Sequence, residues 1–253
     1  MDYDKLLNIA VDLGYRLMYS GAEIYRVEES MSRLLAAYGL ASPEVFTVPK
    51  CIIVSITTPE GHPITRMRRV GEHGTDIELL ERCNALCRAL CAQTPPLEEA
   101  QAQLDSLDTL SPQYAPRLVL LGYGAAPACF SPLFGGGLMD AAAAALGGLA
   151  VGICLLYMRR FLSSNAFFRT AICSAVASLV SLVLVRLGLG RNLDVVTISV
   201  LMVLVPGVPL TNAMREIMAG DTISGLSRAA DAILIAVAIA IGSAVGLAVV
   251  HLV

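Results

Sequence analysis

Apolar residues recur at helical spacing through the first part of the chain. Leu6, Leu7, Ile9, Ala10, Leu13 and Leu17 share one stripe, which stops and restarts at Ser20-Gly21. Ile24, Val27, Met31, Leu34 and Leu35 form a second stripe and predict a helix over about 21–38, ending at Gly39. The period then changes. VFTVPKCIIVSITT (45–58) is β-branched and extended, PEGHP is turn sequence, and ITRMRRV (64–70) extends again, so a β-hairpin is predicted. Thr75 or Asp76 caps a third helix, 76–92, along Ile77, Leu80, Cys83, Leu86, Cys87 and Leu90. Pro95-Pro96 opens a short polar helix or linker.

Beyond Arg117 the amphipathic pattern gives way to charge-free runs at 118–139, 141–158, 170–185, 195–214 and 232–253, the last broken only by His251. Each is near the ~17–25 residues that cross a hydrocarbon core. Five such helices in a row leave no polar face for water. The shortest, 170–185, relies on Arg169 and Arg186 snorkelling to the head groups. The pattern thus predicts a membrane protein: a cytoplasmic α+β domain (helices plus a β-hairpin, 1–94), a linker or short helix (95–116), and an all-α bundle of five transmembrane helices (117–253).

Charge follows the same division. Of the first 117 residues 27 are charged, and of the remaining 136 only 12. The net charge of −3, with no basic tract, argues against nucleic acid as a partner. The loops after spans two and four carry Arg159, Arg160, Arg169, Arg215 and Arg228, against Arg186 and Arg191 on the other side. By the positive-inside rule the first set is cytoplasmic, with the N-terminus inside and the C-terminus outside. The acidic start, MDYDKLL, carries no signal-peptide pattern, an expectation that agrees with this orientation. With no Trp, the interfacial belt rests on Tyr123, Tyr157, Phe161, Phe167 and Phe168.

Candidate chemistry is sparse. Cys83, Cys87 and Cys91 share a helix stripe and read either as a soft-metal set or as buried apolar thiols; three thiols on one helix do not wrap a tetrahedral ion, so no metal is expected. His62 and His73 look like turn residues. No Ser-His-Asp pattern, Gly-rich phosphate loop or metal spacing occurs, so neither an enzyme nor a cofactor is expected. In the first half, Glu23 and Arg26 read either as a site or as helix-surface ion pairs. Arg66 and Arg68 share a strand face and suit an anionic ligand, the membrane surface or plain solvation. In the second half, Asp140, Asp194 and Asp231 each begin a span, either as first-turn acids or as pathway residues. The richest stretch is 204–232. Pro206-Gly207 and Pro209 end or break span four and free backbone groups, as where transporters bind substrates and ions. Thr211 and Asn212 add neutral polar groups, and Arg215 adds a cation suited to a carboxylate. Glu216 and Asp221 either carry a proton or balance Arg215. Gly242 and Gly246 offer a small-residue face for assembly or arise by chance in a Gly- and Ala-rich helix.

SGAEIYRVEESMSRLLAAYG (20–39), CIIVSITTPEGHPITRMRRV (51–70) and PGVPLTNAMREIMAGDTISGLSRAADA (206–232) occur in the order and spacing of the threonine/serine exporter (ThrE) family, which the chain resembles along nearly its whole length. The resemblance implies a cytoplasmic domain fused to a bundle that exports small metabolites, driven by protons, in the bacterial cytoplasmic (inner) membrane. With five spans the chain is similar to the YjjP-type half, implying a smaller YjjB-type membrane subunit and homo-oligomerisation. The substrate implied is a hydroxy-amino acid, or a dicarboxylate such as succinate. A membrane-anchored metabolite sensor using the cytoplasmic domain is the other reading.

Overall fold

The computed structural model describes residues 1–71, 74–107, 114–161 and 165–251, and the chain divides into two compact units. His73, linker residues 108–113 and the last two residues lie outside the described set, as do the side chains of Arg159, Arg160, Phe161 and His251.

The first unit comprises Met1–Ser111 and Thr211–Ala229. Helix α1 (Tyr3–Tyr19) starts where Asp2 accepts the Lys5 N–H, and α2 (Ile24–Ala37) follows a two-residue turn. Three antiparallel strands come next: β1 (Glu44–Val48), β2 (Cys51–Thr57) and β3 (Pro63–Arg69), in the order β1-β2-β3. The predicted hairpin is therefore a three-stranded sheet. Pro49-Lys50 breaks the β-branched run into a tight turn, with Val48 paired to Cys51, and Thr57 pairs with Pro63 across the second turn. Helices α3 (Ile77–Gln93), capped by Asp76 through the Leu79 N–H at 3.0 Å, and α4 (Leu97–Ser106) complete the first stretch.

These elements share one core. Leu6, Leu13 and Leu17 of α1 meet Val27, Met31 and Leu34 of α2, and alternate β2 residues Ile52, Val54 and Ile56 point inward. Ala100 and Leu104 of α4 are fully buried in it, so the predicted linker is part of the domain. Cys83 and Cys87 lie in the same core, and burial pushes the Cys87 thiol up to about 12, leaving it a neutral apolar filler.

The second unit comprises Pro112–Leu210 and Ala230–Val253. Its helices are α5 (Pro116–Leu133), α6 (Leu138–Phe161), α7 (Ala166–Arg186) and α8 (Leu193–Leu201), and its last segment belongs to α10 (Thr222–His251). Between them α9 (Gly207–Ala219) runs from the second unit into the first. Among the described residues three helices are long and apolar enough to cross a membrane: Leu138–Met158, Ala166–Arg186 and Thr222–Ala248. The first charge-free run does not fill one helix, because Gly135, at φ +83°, turns the chain between α5 and α6. The expected fourth span is two helices; α8, at nine residues, rises only about 14 Å. The break falls at Val203–Pro206, next to the two prolines that signalled it. The last helix begins ten residues before the expected start at 232, so Asp231 lies in its third turn rather than at its end.

Inside and outside are reversed relative to a soluble domain. The buried positions of the second unit are small or hydroxylated: Ala144, Ala177, Ser174, Ser178, Ser181 and Ser199. Large apolar side chains face out, as suits lipid-facing helices. On α10 one face is buried and small (Ala232, Ala238, Gly242, Gly246). The opposite face exposes Ile223, Leu226, Ile233, Leu234, Val237, Ile241 and Val245 in one stripe. Ser174 Oγ donates to the Ile239 carbonyl at 2.6 Å, and Ser178 and Ser243 share a hydrogen bond at 2.8 Å. A Cβ on Gly242 would run into the Ala171 carbonyl, and one on Gly246 would lie 2.6 Å from that of Ala175. Gly242 and Gly246 are thus spent on packing α10 against α7 within the chain.

Gly242→Leu should lower the unfolding temperature in detergent, at a cost of about 1–3 kcal/mol or more from overpacking, whereas Ile241→Leu on the exposed stripe should leave it unchanged. Equal effects would contradict the packing described.

Candidate functional site

Two helix–turn–helix corners build the polar cluster of the first unit. At the end of α1, Gly21 adopts φ +92°, and the N–H groups of Gly21 and Ala22 return to the carbonyls of Met18 and Leu17. At the end of α9, Gly220 adopts φ +100°, and the N–H groups of Gly220 and Asp221 return to Ile217 and Glu216. Each glycine supplies the left-handed residue that a tight helix exit needs.

The first corner delivers Glu23 to the N-cap of α2, where its side chain makes no capping bond. That terminus is capped from a distance. Glu216 of α9 accepts the Ile24 N–H through Oε1 at 3.2 Å, joining residues 192 positions apart. Arg228 of α10 sits 3.1 Å from the same oxygen through Nε and donates to the Ala22 carbonyl through Nη2 at 3.0 Å. Glu23 in turn pairs with Arg215 of α9 and, at 2.6 Å, with Arg26 of α2. Glu23, Glu216 and Arg228 are buried, while Arg215 and Arg26 are more than half exposed on their side chains.

The electrostatics single out Glu216. Burial pushes its carboxyl up; Arg228 and the Ile24 N–H pull it down, and the charges of Asp221 and Glu23 push it up again, for a net rise. Its Oε2 has no hydrogen-bond partner among the described residues. Glu216 thus combines a buried oxygen unpartnered among the described residues with a raised proton affinity. Beside it, Arg215 presents a half-exposed guanidinium able to receive a second carboxylate.

Sequence candidates and geometry coincide in part. Glu23, Arg26, Arg215 and Glu216 come together, and Asp221, half-buried, adds charge nearby. Pro206 and Gly207 mark the helix break, Pro209 lies in the first turn of α9, Thr211 is exposed on that helix and Asn212 is half-buried. Arg66 and Arg68 go elsewhere. They reach α1, Arg66 to Asp4 at 2.6 Å, and Arg68 to Asp12 and over the Tyr15 ring at 4.1 Å. In the second unit Asp140 is buried and accepts three backbone N–H groups, from Arg191 (2.6 Å), Asn192 (3.0 Å) and Gly137 (3.1 Å). It clamps the turn before α8. Asp194 is exposed in the first turn of α8, whose cap is Asn192, and Asp231 is exposed on α10. Sequence reasoning missed Arg228, read only as an orienting loop charge. The signal was available in its being the one cation in an otherwise small and polar run, TISGLSRAADA.

The threonine/serine exporter family profile, described as "Putative threonine/serine exporter", matches residues 8–250. "Probable succinate transporter subunit YjjP" of Klebsiella aerogenes is 25% identical over 92% of this chain and 90% of its own length. "Probable threonine/serine exporter" of Mycobacterium tuberculosis is 23% identical over 96% of this chain but only 46% of its own length. "Pheromone-regulated membrane protein 10" of Pichia sorbitophila is 29% identical over 65% of this chain and 16% of that protein. The chain thus spans nearly all of the first relative, under half of the second and a small part of the third. No solved structure matches.

A glutamate raised in the folded state contributes most below its ordinary value of 4.5, and that contribution is lost as pH rises through the raised folded value. Glu216→Gln should therefore flatten the fall in unfolding temperature as pH rises above the ordinary glutamate value of 4.5; an unchanged slope would contradict the assignment. Arg228→Met, which strips Glu216 of its buried counter-charge, should cost about 3–5 kcal/mol.

Proposed function

The chain belongs to the threonine/serine exporter family, and from that premise we propose that it is a subunit of a secondary exporter of small carboxylate-bearing metabolites. Threonine- and serine-type amino acids are the first substrate class, and protons the coupling ion. The subunit lies in the bacterial cytoplasmic membrane, N-terminus inside, with a cytoplasmic α+β domain and a helical membrane domain. It works as an oligomer with a smaller YjjB-type membrane subunit.

The observation that supports this reading is that α9 carries, at adjacent positions, the buried Glu216, whose Oε2 has no partner among the described residues, and the half-exposed Arg215, which pairs with Glu23. Arg215 and Arg26 both pair with Glu23. A substrate carboxylate presented to these guanidiniums competes with Glu23, and bidentate geometry favours the exchange. A proton taken up by Glu216 removes a buried negative charge at the same place, which links proton binding to substrate binding by mutual charge compensation. Thr211, Asn212 and Asp221 supply further polar groups along this segment. Asp140 acts by holding the turn before α8, and Asp194 and Asp231 stand as polar positions of the pathway.

A dicarboxylate is the second reading, favoured by the near-complete overlap in length with a relative named as a succinate transporter subunit. Two guanidiniums around one carboxylate suit a doubly charged ligand as well as an amino acid.

Counterflow of labelled threonine, serine and succinate, with and without the co-expressed small subunit, discriminates the two. One substrate should exchange only when both subunits are present. Arg215→Ala should abolish that exchange in inserted, folded protein, and Glu216→Gln should leave exchange but remove its dependence on the proton gradient. Unchanged transport in both variants would overturn the assignment.

A further inference from the structure

Helix α9 is amphipathic in an unusual sense. Its inward face is short and polar, Ala213 and the ion-paired Glu216, while its outward face is apolar. Leu210, Met214, Ile217 and Met218 fall at i, i+4, i+7 and i+8, one arc of the helix, and all four are exposed, Met218 by 83%. A water-facing arc of this kind has no polar residue to justify it. After the turn at Gly220-Asp221, Ile223 (71% exposed) and Leu226 (64%) open the apolar stripe of α10, which continues without a charged residue among its members to Val245. Thr222–Ala248 of that helix is apolar and long enough to cross a membrane. The helix that carries the arc thus ends two residues short of a helix long and apolar enough to cross a membrane, whose own exposed stripe is apolar.

We infer that α9 is an in-plane membrane helix, its Leu210–Met214–Ile217–Met218 face buried in the lipid at the boundary between head groups and acyl chains. The occupant is the bilayer rather than a protein, because α9 directly precedes in the chain a helix apolar and long enough to span one. Such helices sink about 5–10 Å below the head groups. Thr211 and Arg215 flank the arc at the level where polar groups meet water, as an interfacial helix requires. The consequence is that the ion pairs of Glu23 and Glu216 sit directly above a lipid-anchored helix. Lipid packing beneath α9 then acts on the polar cluster without touching it.

The inference rests on the membrane reading above, not on transport, and the chain's lack of Trp permits a direct test. Single variants Met218→Trp, Ile241→Trp and Phe46→Trp of the full chain are reconstituted in phosphatidylcholine vesicles with brominated acyl chains. Met218→Trp should emit at short wavelength, lose most of its emission to bromines placed near the head groups, and resist aqueous acrylamide. Ile241→Trp, in the span, should respond to deeper bromines, and Phe46→Trp, on exposed β1, only to acrylamide. Leu210→Trp repeats the measurement on the same face should Met218→Trp fail to fold. Met218→Trp and Leu210→Trp open to acrylamide, or shielded from both quenchers as by a protein partner, would overturn the inference. An Ile241→Trp insensitive to bromine would instead overturn the membrane reading beneath it.

Discussion

The polar cluster that joins the α1–α2 corner to α9 depends on one buried interaction, the Glu216 carboxylate at the amino end of α2, held by Arg228. The corner at Ser20–Glu23 leaves α2 without a side-chain cap of its own. The free N–H of Ile24 is satisfied only by a residue far along the chain. That debt makes residues 211–229 part of the first unit's fold although the sequence places them among membrane helices. A buried carboxylate needs its own compensation, which Arg228 supplies while also satisfying the Ala22 carbonyl. Glu23 and Arg215 add a second tie across the same contact, with a more exposed guanidinium. The two ties differ: Glu216 and Arg228 are sealed from water, whereas the guanidinium of Arg215 opens onto solvent.

The second unit solves a different problem. Without water outside, nothing drives large apolar residues inward, so close approach of backbones and hydroxyl bonds hold the helices together. Ser174, Ser178 and Ser243 link α7 to α10, where the two glycines of α10 allow contact with the α7 backbone. Asp140 meets the rule that a buried charge must be compensated by collecting three amides at a turn. Its full set of backbone partners gives it a positioning role, in contrast to Glu216 with its unpartnered oxygen.

Local order was legible in the chain because it depends on near neighbours. The stripe Leu6–Leu17 and the stripe Ile24–Leu35 became α1 and α2, and Asp76 capped α3 as its position suggested. The sheet was underread for an equally local reason: nine β-branched residues in 45–58, on both sides of Pro49-Lys50, masked a two-residue turn. The helix break after α8 was legible from Pro206 and Pro209, but not that α9 would fold as a helix with its apolar side outward. The site was legible only as fragments. Glu23 with Arg26 read as a site or a surface pair, and Arg215 with Glu216 as part of a broken-helix pathway, each within its own segment. No periodicity relates positions 192 apart, so neither their union nor the part of Arg228 followed from residue types alone. Family membership, by contrast, was carried by the order of three motifs and needed no geometry.

The central claim is that residues 20–26 and 211–229 are held as one structural piece by the Glu216 cap and its arginine. Amide hydrogen exchange of the full chain in lipid, comparing the native protein with Glu216→Ala, tests it most directly. The account predicts that the amides of Ile24–Val27 and of 211–229 lose protection together, while the α7–α10 contact around Ser178 keeps its own. Loss of protection confined to 211–229, with the start of α2 unchanged, would contradict it.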